Sequence, residues 1–149
     1  MKKILKIFLL IFLSGCGHQP IFFQTNLEDL QFAKINLSGD KEINKKIIDS
    51  LNFKEQKNID KTKELFLDAN YVIYETSKDS KGLVVSYRSE VVIDFIIKNK
   101  DKVIKQKKFN QSYEYNNFEN SFTLSQFQDK IKNNLTNKII EEIILHINT

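Results

Sequence analysis

The 149-residue chain is poor in the residues that staple or interrupt a fold: it has one cysteine, one proline, four glycines and no tryptophan. A single cysteine excludes an internal disulfide, so in an exported protein it marks a reactive thiol or a modified residue. The two histidines, His18 and His146, have no metal-ligand companion at a suitable spacing. The sequence also lacks a glycine-rich phosphate loop and a nucleophile elbow. We therefore expect neither an enzyme nor a metal or cofactor site.

The first fifteen residues have the pattern of a secretion signal. Lysines at positions 2, 3 and 6 flank the start of a continuous apolar run at 7–13. That run is far shorter than the roughly 20 apolar residues of a spanning helix, and its flanks are those of a signal peptide. We predict that residues 1–15 are removed from the mature protein.

The end of this leader, Leu13-Ser14-Gly15-Cys16, closely resembles the bacterial lipobox. The resemblance implies that the Cys16 thiol carries a diacylglycerol and that the new amino terminus is acylated. Two or more acyl chains anchor a protein stably, because each buried CH₂ contributes about 0.8 kcal/mol. Gly17 follows, instead of the Asp that commonly retains lipoproteins in the inner membrane. By that analogy we expect a lipid anchor in the outer membrane, on its periplasmic face.

The positive charge of the chain belongs largely to the leader. The full sequence has 23 Lys+Arg against 19 Asp+Glu. Residues 1–15 hold three lysines and no acid, so the mature chain has 23 − 3 = 20 basic residues against 19 acidic ones. A nearly neutral chain does not indicate nucleic-acid binding.

The mature length predicts a single domain. Removal of the leader leaves 149 − 15 = 134 residues, enough for one core but not for two. Residues 16–30 hold the only proline, Pro20, and are predicted to form a lipidated tether. We place one folded domain at 31–149.

Four stretches alternate as strands do. Residues 31–37 place Ala33, Ile35 and Leu37 on one side, and further strands are expected within 67–74 and 87–98. The last strand, 103–115, is predicted to align four residues on one face: Val103, Phe109, Tyr113 and Tyr115.

Two stretches have helical periodicity. Asp40 precedes the first as an N-cap, and its apolar face consists of Ile43, Ile47, Ile48 and Leu51. Ser125 with Gln128 predicts a capping box for the second helix. The stripe of this C-terminal helix comprises Leu124, Phe127, Ile131, Leu135, Ile139, Ile140, Ile143, Ile144 and Ile147.

The order of these elements is β-α-β-β-β-α. Antiparallel hairpins with two amphipathic helices predict an α+β fold, a two-layer sandwich with both helices on one face of a four-stranded, mostly antiparallel sheet.

One charged stretch surrounds the turn between the last two strands. Five of its lysines are candidate contacts for phosphate groups of a glycolipid, since lysines bind phosphate as point charges. The alternative is a solvated turn whose lysines protect an edge strand from aggregation. These hairpin lysines are Lys100, Lys102, Lys105, Lys107 and Lys108.

Several short motifs resemble the lipopolysaccharide-assembly lipoproteins of the LptE family, especially their alphaproteobacterial branch. The mature chain begins Cys16-Gly17-His18-Gln19-Pro20, which matches Cys-Gly-x-x-Pro. Tyr87-Arg88 enters a long central strand, and Ser112-Tyr113-Glu114-Tyr115-Asn116-Asn117 with Ser121-Phe122 precedes a long C-terminal helix. The order of elements agrees over most of residues 16–147, although the helix is richer in Lys, Asn and Ile than is usual in the family.

The resemblance implies a function that is physical, not catalytic. Members of the family plug the lumen of the LptD β-barrel, and the lipoprotein and the barrel together insert lipopolysaccharide into the outer leaflet. The expected partners are therefore LptD, lipopolysaccharide and, through Cys16, the membrane. A lipoprotein that scaffolds or activates a periplasmic enzyme such as a peptidoglycan synthase is the alternative.

Overall fold

A computed structural model describes residues 30–56 and 62–148 of the chain. The leader at 1–15, Cys16 and all of the tether except Leu30 lie outside the described residues, so these predictions remain predictions. The elements in chain order are β1 (Gln31–Phe32), β2 (Lys34–Gly39), α1 (Lys41–Ser50), β3 (Lys54–Glu55), β4 (Lys63–Lys78), β5 (Val84–Asn99), β6 (Lys102–Asn116) and α2 (Ser121–Asn148).

The main sheet has four strands in the order β2-β4-β5-β6. β4, β5 and β6 form two successive antiparallel hairpins, whereas β2 pairs with β4 in parallel. The parallel pair needs a crossover, and α1 supplies it. β1 and β3 form a separate two-stranded parallel pair. The predicted α+β sandwich of two helices and a four-stranded, mostly antiparallel sheet is confirmed.

The core lies between the sheet and the two helices. We call the covered face of the sheet the helix side and the other face the open side. Between Ser89 and Ile97, β5 alternates strictly, so every second residue there is buried on the helix side. The fully buried positions of the two central strands are Leu65, Leu67, Ala69, Val91, Ile93 and Phe95, and the helices add Ile43, Ile47, Ile139 and Ile143.

The predicted N-cap of α1 is present and is also tied to α2. The Asp40 Oδ1 atom accepts from the amides of Glu42 at 2.9 Å and Ile43 at 3.0 Å. Lys132 of α2 places its Nζ 2.9 Å from Asp40 Oδ2 and 2.8 Å from Glu42 Oε2. Burial acts to raise the pKa of Asp40, but the hydrogen bonds from Lys132 and Ile43 outweigh it and lower that pKa. The ion pairs therefore link the start of α1 to the middle of α2.

The start of α2 differs from the prediction. The helix begins at Ser121, and Asn120 Oδ1 accepts from the amides of Phe122 at 2.9 Å and Thr123 at 3.1 Å. The capping box predicted at Ser125 is wrong, because Asn120 already caps the helix one turn earlier. The apolar stripe is confirmed: its members are buried or pack against the core.

The predicted first strand, 31–37, is divided at Ala33. The Ala33 amide donates to the Lys63 carbonyl at 2.8 Å, and the Phe32 ring meets Phe53 edge-on at 5.3 Å. Residues 31–32 therefore leave the main sheet and pair with β3. Leu37, predicted to lie on the same side of this strand as Ala33 and Ile35, is 51% exposed, because β2 is the outer strand of the sheet.

A bulge in β6 overturns the predicted position of Val103. Ile97 lies opposite Lys105 while Lys98 lies opposite Val103, so Ile104 is an extra residue in β6. Val103 therefore shares the side of Lys98 and is 51% exposed. Phe109 and Tyr115 are buried on the helix side as predicted, and Tyr113 lies opposite Ser89 on that same side.

Candidate functional site

The hairpin lysines lie around the β5–β6 turn, at one end of the sheet. Lys100 has a φ of 54°, a left-handed conformation that closes the turn, and its amide donates to the Thr62 carbonyl at 3.1 Å. Lys102 begins β6 opposite Asn99. The predicted turn residues are therefore close together along the chain and in space.

The remaining three hairpin lysines are divided between the two faces. Lys105 lies opposite Ile97 and Lys107 opposite Phe95, so both belong to the helix side. Lys108 lies opposite Asp94 on the open side, where its Nζ is 3.7 Å from Asp94 Oδ2. The structure brings Lys105 and Lys107 together and separates Lys108 from them.

Lys105 contacts the last turn of α2. Its Nζ donates to the carbonyls of His146 at 2.9 Å and Ile147 at 2.8 Å. A cation at a helix C-terminus is stabilising, because the unpaired carbonyls there carry partial negative charge. Burial lowers the pKa of His146, and the charges of Lys105 and Lys107 lower it further. Lys105 thus fixes the end of α2 against β6, a role that its place in a lysine run did not indicate.

A groove runs between α2 and the outer strand β6. Its volume is about 480 Å³, and Tyr113, which is 51% exposed, stands at its entrance. Phe127, Ile131 and Leu135 form an apolar floor. The lysines and asparagines at its rim are Lys130, Asn134, Asn137 and Lys138. An apolar floor with a cationic rim suits an amphiphile that carries a negative charge.

Sequence reasoning missed this groove. Lys130 and Lys138 are eight residues apart, slightly more than two turns, which places them near one another along one flank of α2. The spacing of these two lysines was the only indication of the groove in the sequence. It was not recognised because neither lysine belongs to a run of charged residues, and because nothing in the sequence shows that this flank of α2 borders β6.

A buried hydroxyl chain lies on the helix side between β4 and β6. The hydroxyl groups of Tyr71 and Ser89 are 2.9 Å apart, and those of Ser89 and Tyr115 are 3.0 Å apart. The Tyr71 hydroxyl also lies 3.3 Å from the Gln128 carbonyl, and burial raises the pKa of Tyr71. Because these hydroxyls bond to one another and to α2, they stabilise the helix against the sheet.

The described ranges 30–56 and 62–148 contain no cluster of three or more His, Cys, Asp or Glu side chains that could hold a metal ion. Within those same ranges, no helix is both long and apolar enough to cross a membrane.

The architecture is similar to that of several bacterial lipoproteins of known structure. The rare lipoprotein B of Shewanella oneidensis superposes with a TM-score of 0.60 at 15% identity, over 77% of this chain and 93% of that one. Lipoprotein B of Nitrosomonas europaea gives 0.56 at 9% identity over 75% and 79%. A minor lipoprotein of Acinetobacter baumannii gives 0.53 at 13% identity over 75% and 87%.

These similarities establish a shared fold. No family model matches the chain, and no curated protein matches it in sequence. Because 93% of the rare lipoprotein B structure is covered, the fold is shared over nearly the whole of that domain and not over a single motif.

Proposed function

We propose that this protein is an outer-membrane lipoprotein that plugs and assembles the LptD β-barrel and assists the insertion of lipopolysaccharide into the outer leaflet. Lipid on Cys16 would hold it at the periplasmic face. The observation that carries the proposal is the coincidence of a lipobox-like leader with the fold of rare lipoprotein B structures. The role is one of binding and support and needs no catalytic residue.

The dimensions of the domain support a position inside a large barrel. Four strands have three spacings of about 4.8 Å, which gives a sheet only about 14 Å wide between its outer backbones. Its longest strands have 16 residues, about 53 Å at roughly 3.3 Å per residue. Barrels of about 22 strands have lumens wide enough to hold a folded plug. A narrow, elongated two-layer body is consistent with a plug of this kind.

Two surfaces would contact lipopolysaccharide in this function. The groove beside α2 offers Phe127, Ile131 and Leu135 to acyl chains and the rim lysines to phosphates. The hairpin lysines on the helix side, Lys105 and Lys107, would extend the cationic surface towards the end of α2.

The test is a detergent pull-down of the tagged full-length chain from outer membranes, with mass identification of the bound proteins. We expect a stoichiometric β-barrel partner, and depletion of the protein should reduce surface lipopolysaccharide. Cys16→Ser provides the matched control, since it should lose the lipid while keeping the fold. Recovery of a peptidoglycan synthase in place of a barrel would favour the enzyme-scaffold alternative.

A further inference from the structure

The chain enters the domain at the end of the sheet that holds the β5–β6 turn. Leu30 is three residues before Ala33, whose amide donates to the Lys63 carbonyl at 2.8 Å. The carbonyl of the preceding residue, Thr62, accepts from the amide of Lys100 in the turn at 3.1 Å. We call this end of the sheet, residues 34, 62–64 and 98–103, the entry end. The opposite end, residues 75–87 and 115–116, is the far end.

The two ends differ in charge. The entry end has five lysines and two acidic residues, a net charge of 5 − 2 = +3, whereas the far end has two of each, 2 − 2 = 0. Among the described residues, none of the five lysines forms a salt bridge with a carboxylate. Their charges are therefore available to an anionic surface. The charged residues of the entry end are Lys34, Lys63, Lys98, Lys100 and Lys102, with Glu64 and Asp101.

The bulge in β6 adds two exposed aliphatic side chains to this end. Val103 is 51% exposed and Ile104 47%, and both follow directly after Lys102. Without the extra residue at Ile104, Val103 would lie on the helix side with Phe109. Lysines beside exposed apolar side chains suit the boundary between lipid headgroups and acyl chains, as in amphipathic helices that lie on membranes.

The length of chain before Leu30 limits which end can reach a membrane that holds Cys16. The two residues are separated by 30 − 16 = 14 steps, which span at most about 50 Å when fully extended. β5 covers 99 − 84 = 15 steps from Asn99 to Val84, about 50 Å at roughly 3.3 Å per step. The far end could therefore contact that membrane only with the connecting chain stretched to its limit. The entry end reaches it with chain to spare.

We propose that the entry end lies against the anionic phospholipids of the leaflet that holds the lipid on Cys16. Lys100 and Lys102 would contact lipid phosphates, and Val103 would enter the boundary below the headgroups. The inference rests on the lipid anchor of the proposed function and concerns the anchored protein before a barrel encloses it. It adds which surface of the domain meets the membrane. Lys105 and Lys107 remain with the lipopolysaccharide surface on the helix side.

The experiment measures which end of the full-length lipoprotein contacts lipid. The protein is reconstituted into vesicles of phosphatidylcholine and phosphatidylglycerol that contain a lipid with a quencher on its headgroup. A fluorophore is attached to Val103→Cys or, as the matched control, to Leu83→Cys, which is 64% exposed at the far end. Cys16 does not react, because its thiol carries the lipid. We expect at least threefold stronger quenching at position 103 than at position 83.

Charge reversal then tests the phosphate contact. Lys100→Glu with Lys102→Glu should lower the quenching of the Val103→Cys label at least threefold, because lysines near an anionic lipid surface strengthen its binding. The same loss is expected for the unchanged lysines in vesicles of phosphatidylcholine alone. Lys78→Glu with Lys81→Glu changes the charge equally at the far end and should have little effect.

A second pair of substitutions guards against a disturbed turn. Lys34→Glu with Lys102→Glu leaves Lys100 in place, and Lys34 and Lys102 are both exposed. This pair should reproduce the loss of quenching while the thermal unfolding of the domain is unchanged.

Three results would overturn the proposal. Equal quenching of the two labels would indicate a domain that lies flat, and stronger quenching at position 83 would indicate contact through the far end. Charge reversal at the entry end that lowers quenching no more than reversal at the far end would remove the phosphate contact. Flotation with the vesicles reports the anchor separately. A protein that does not float overturns the anchor and this inference together, whereas one that floats without quenching at position 103 overturns this inference alone. The detergent pull-down tests the barrel independently.

Discussion

Replacing Ile139 with alanine measures whether α2 is part of the core. Ile139 is fully buried, in the middle of the stripe that packs on the helix side. Truncating a buried Ile to Ala costs about 2–5 kcal/mol, a large part of the roughly 5–15 kcal/mol that stabilises a domain. At about 3–5 °C per kcal/mol for a domain of this size, the melting temperature should fall by about 6–25 °C.

The assay is urea unfolding, for the free energy, and thermal unfolding, for the melting temperature, of the chain from Gly17 onward, both followed by far-ultraviolet circular dichroism. Leu145→Ala is the matched control, because Leu145 lies on the same helix, also loses an aliphatic side chain to alanine and is 58% exposed. We expect it to change stability by less than about 0.5 kcal/mol. Equal costs for the two variants would show that α2 is a detachable arm whose stripe contributes nothing to the core.

Three further predictions concern the anchor, the lysines and the first helix. Cys16→Ser should abolish fatty-acid labelling and leave an unprocessed precursor; a labelled variant of mature size would contradict the lipoprotein assignment. Replacing the hairpin lysines with glutamine should weaken lipid A binding most strongly at low salt, since exposed charges are screened over about 8–10 Å at physiological ionic strength. Lipid A binding that is equal for the glutamine variant and the unmodified protein at every salt concentration would support the alternative, a solvated turn. Lys105→Gln alone should also lower the free energy of unfolding by about 0.3–1 kcal/mol, because it removes a cation from the end of α2. Asp40→Ala should cost about 0.5–2 kcal/mol. The pKa of Asp40 in the folded protein lies below 3.8. The ionised carboxylate therefore stabilises the fold fully at a pH well above 3.8, and this stabilisation is lost as the pH falls through the pKa of the folded protein. Urea unfolding at pH 7 and pH 3 would measure the loss.

The periodicity of apolar residues predicted which faces of the strands and helices are buried, because each buried face requires an apolar residue at every position that points to the core. The alternation in β5 and the four-residue steps of α2 each correspond to one buried face, and both survive in the structure. The N-cap at Asp40 was predictable for a similar reason, since the cap bonds only to amides two and three residues away. Local chemistry of this kind can be read from a sequence.

The errors arose where a distant contact decides the local structure. Val103 follows the alternation of β6 only if no residue is inserted, and the bulge at Ile104 is settled by pairing with β5. Ala33 ends β1 because Lys63, thirty residues later, accepts its amide. The role of Lys105 depends on where α2 ends, and no spacing within the lysine run reports that.

The placement of α2 after the three hairpin strands determines the order in which the core can close. β4, β5 and β6 are joined by short turns, so their pairing requires little loop closure and can begin early in folding. Their helix side, including Phe95 and Phe109, stays exposed to water until the 28-residue α2, which follows them in the chain, has packed on it. Partly folded chains with such a surface are prone to aggregate. The strands of this protein should therefore be most prone to aggregate in the interval before α2 packs on them.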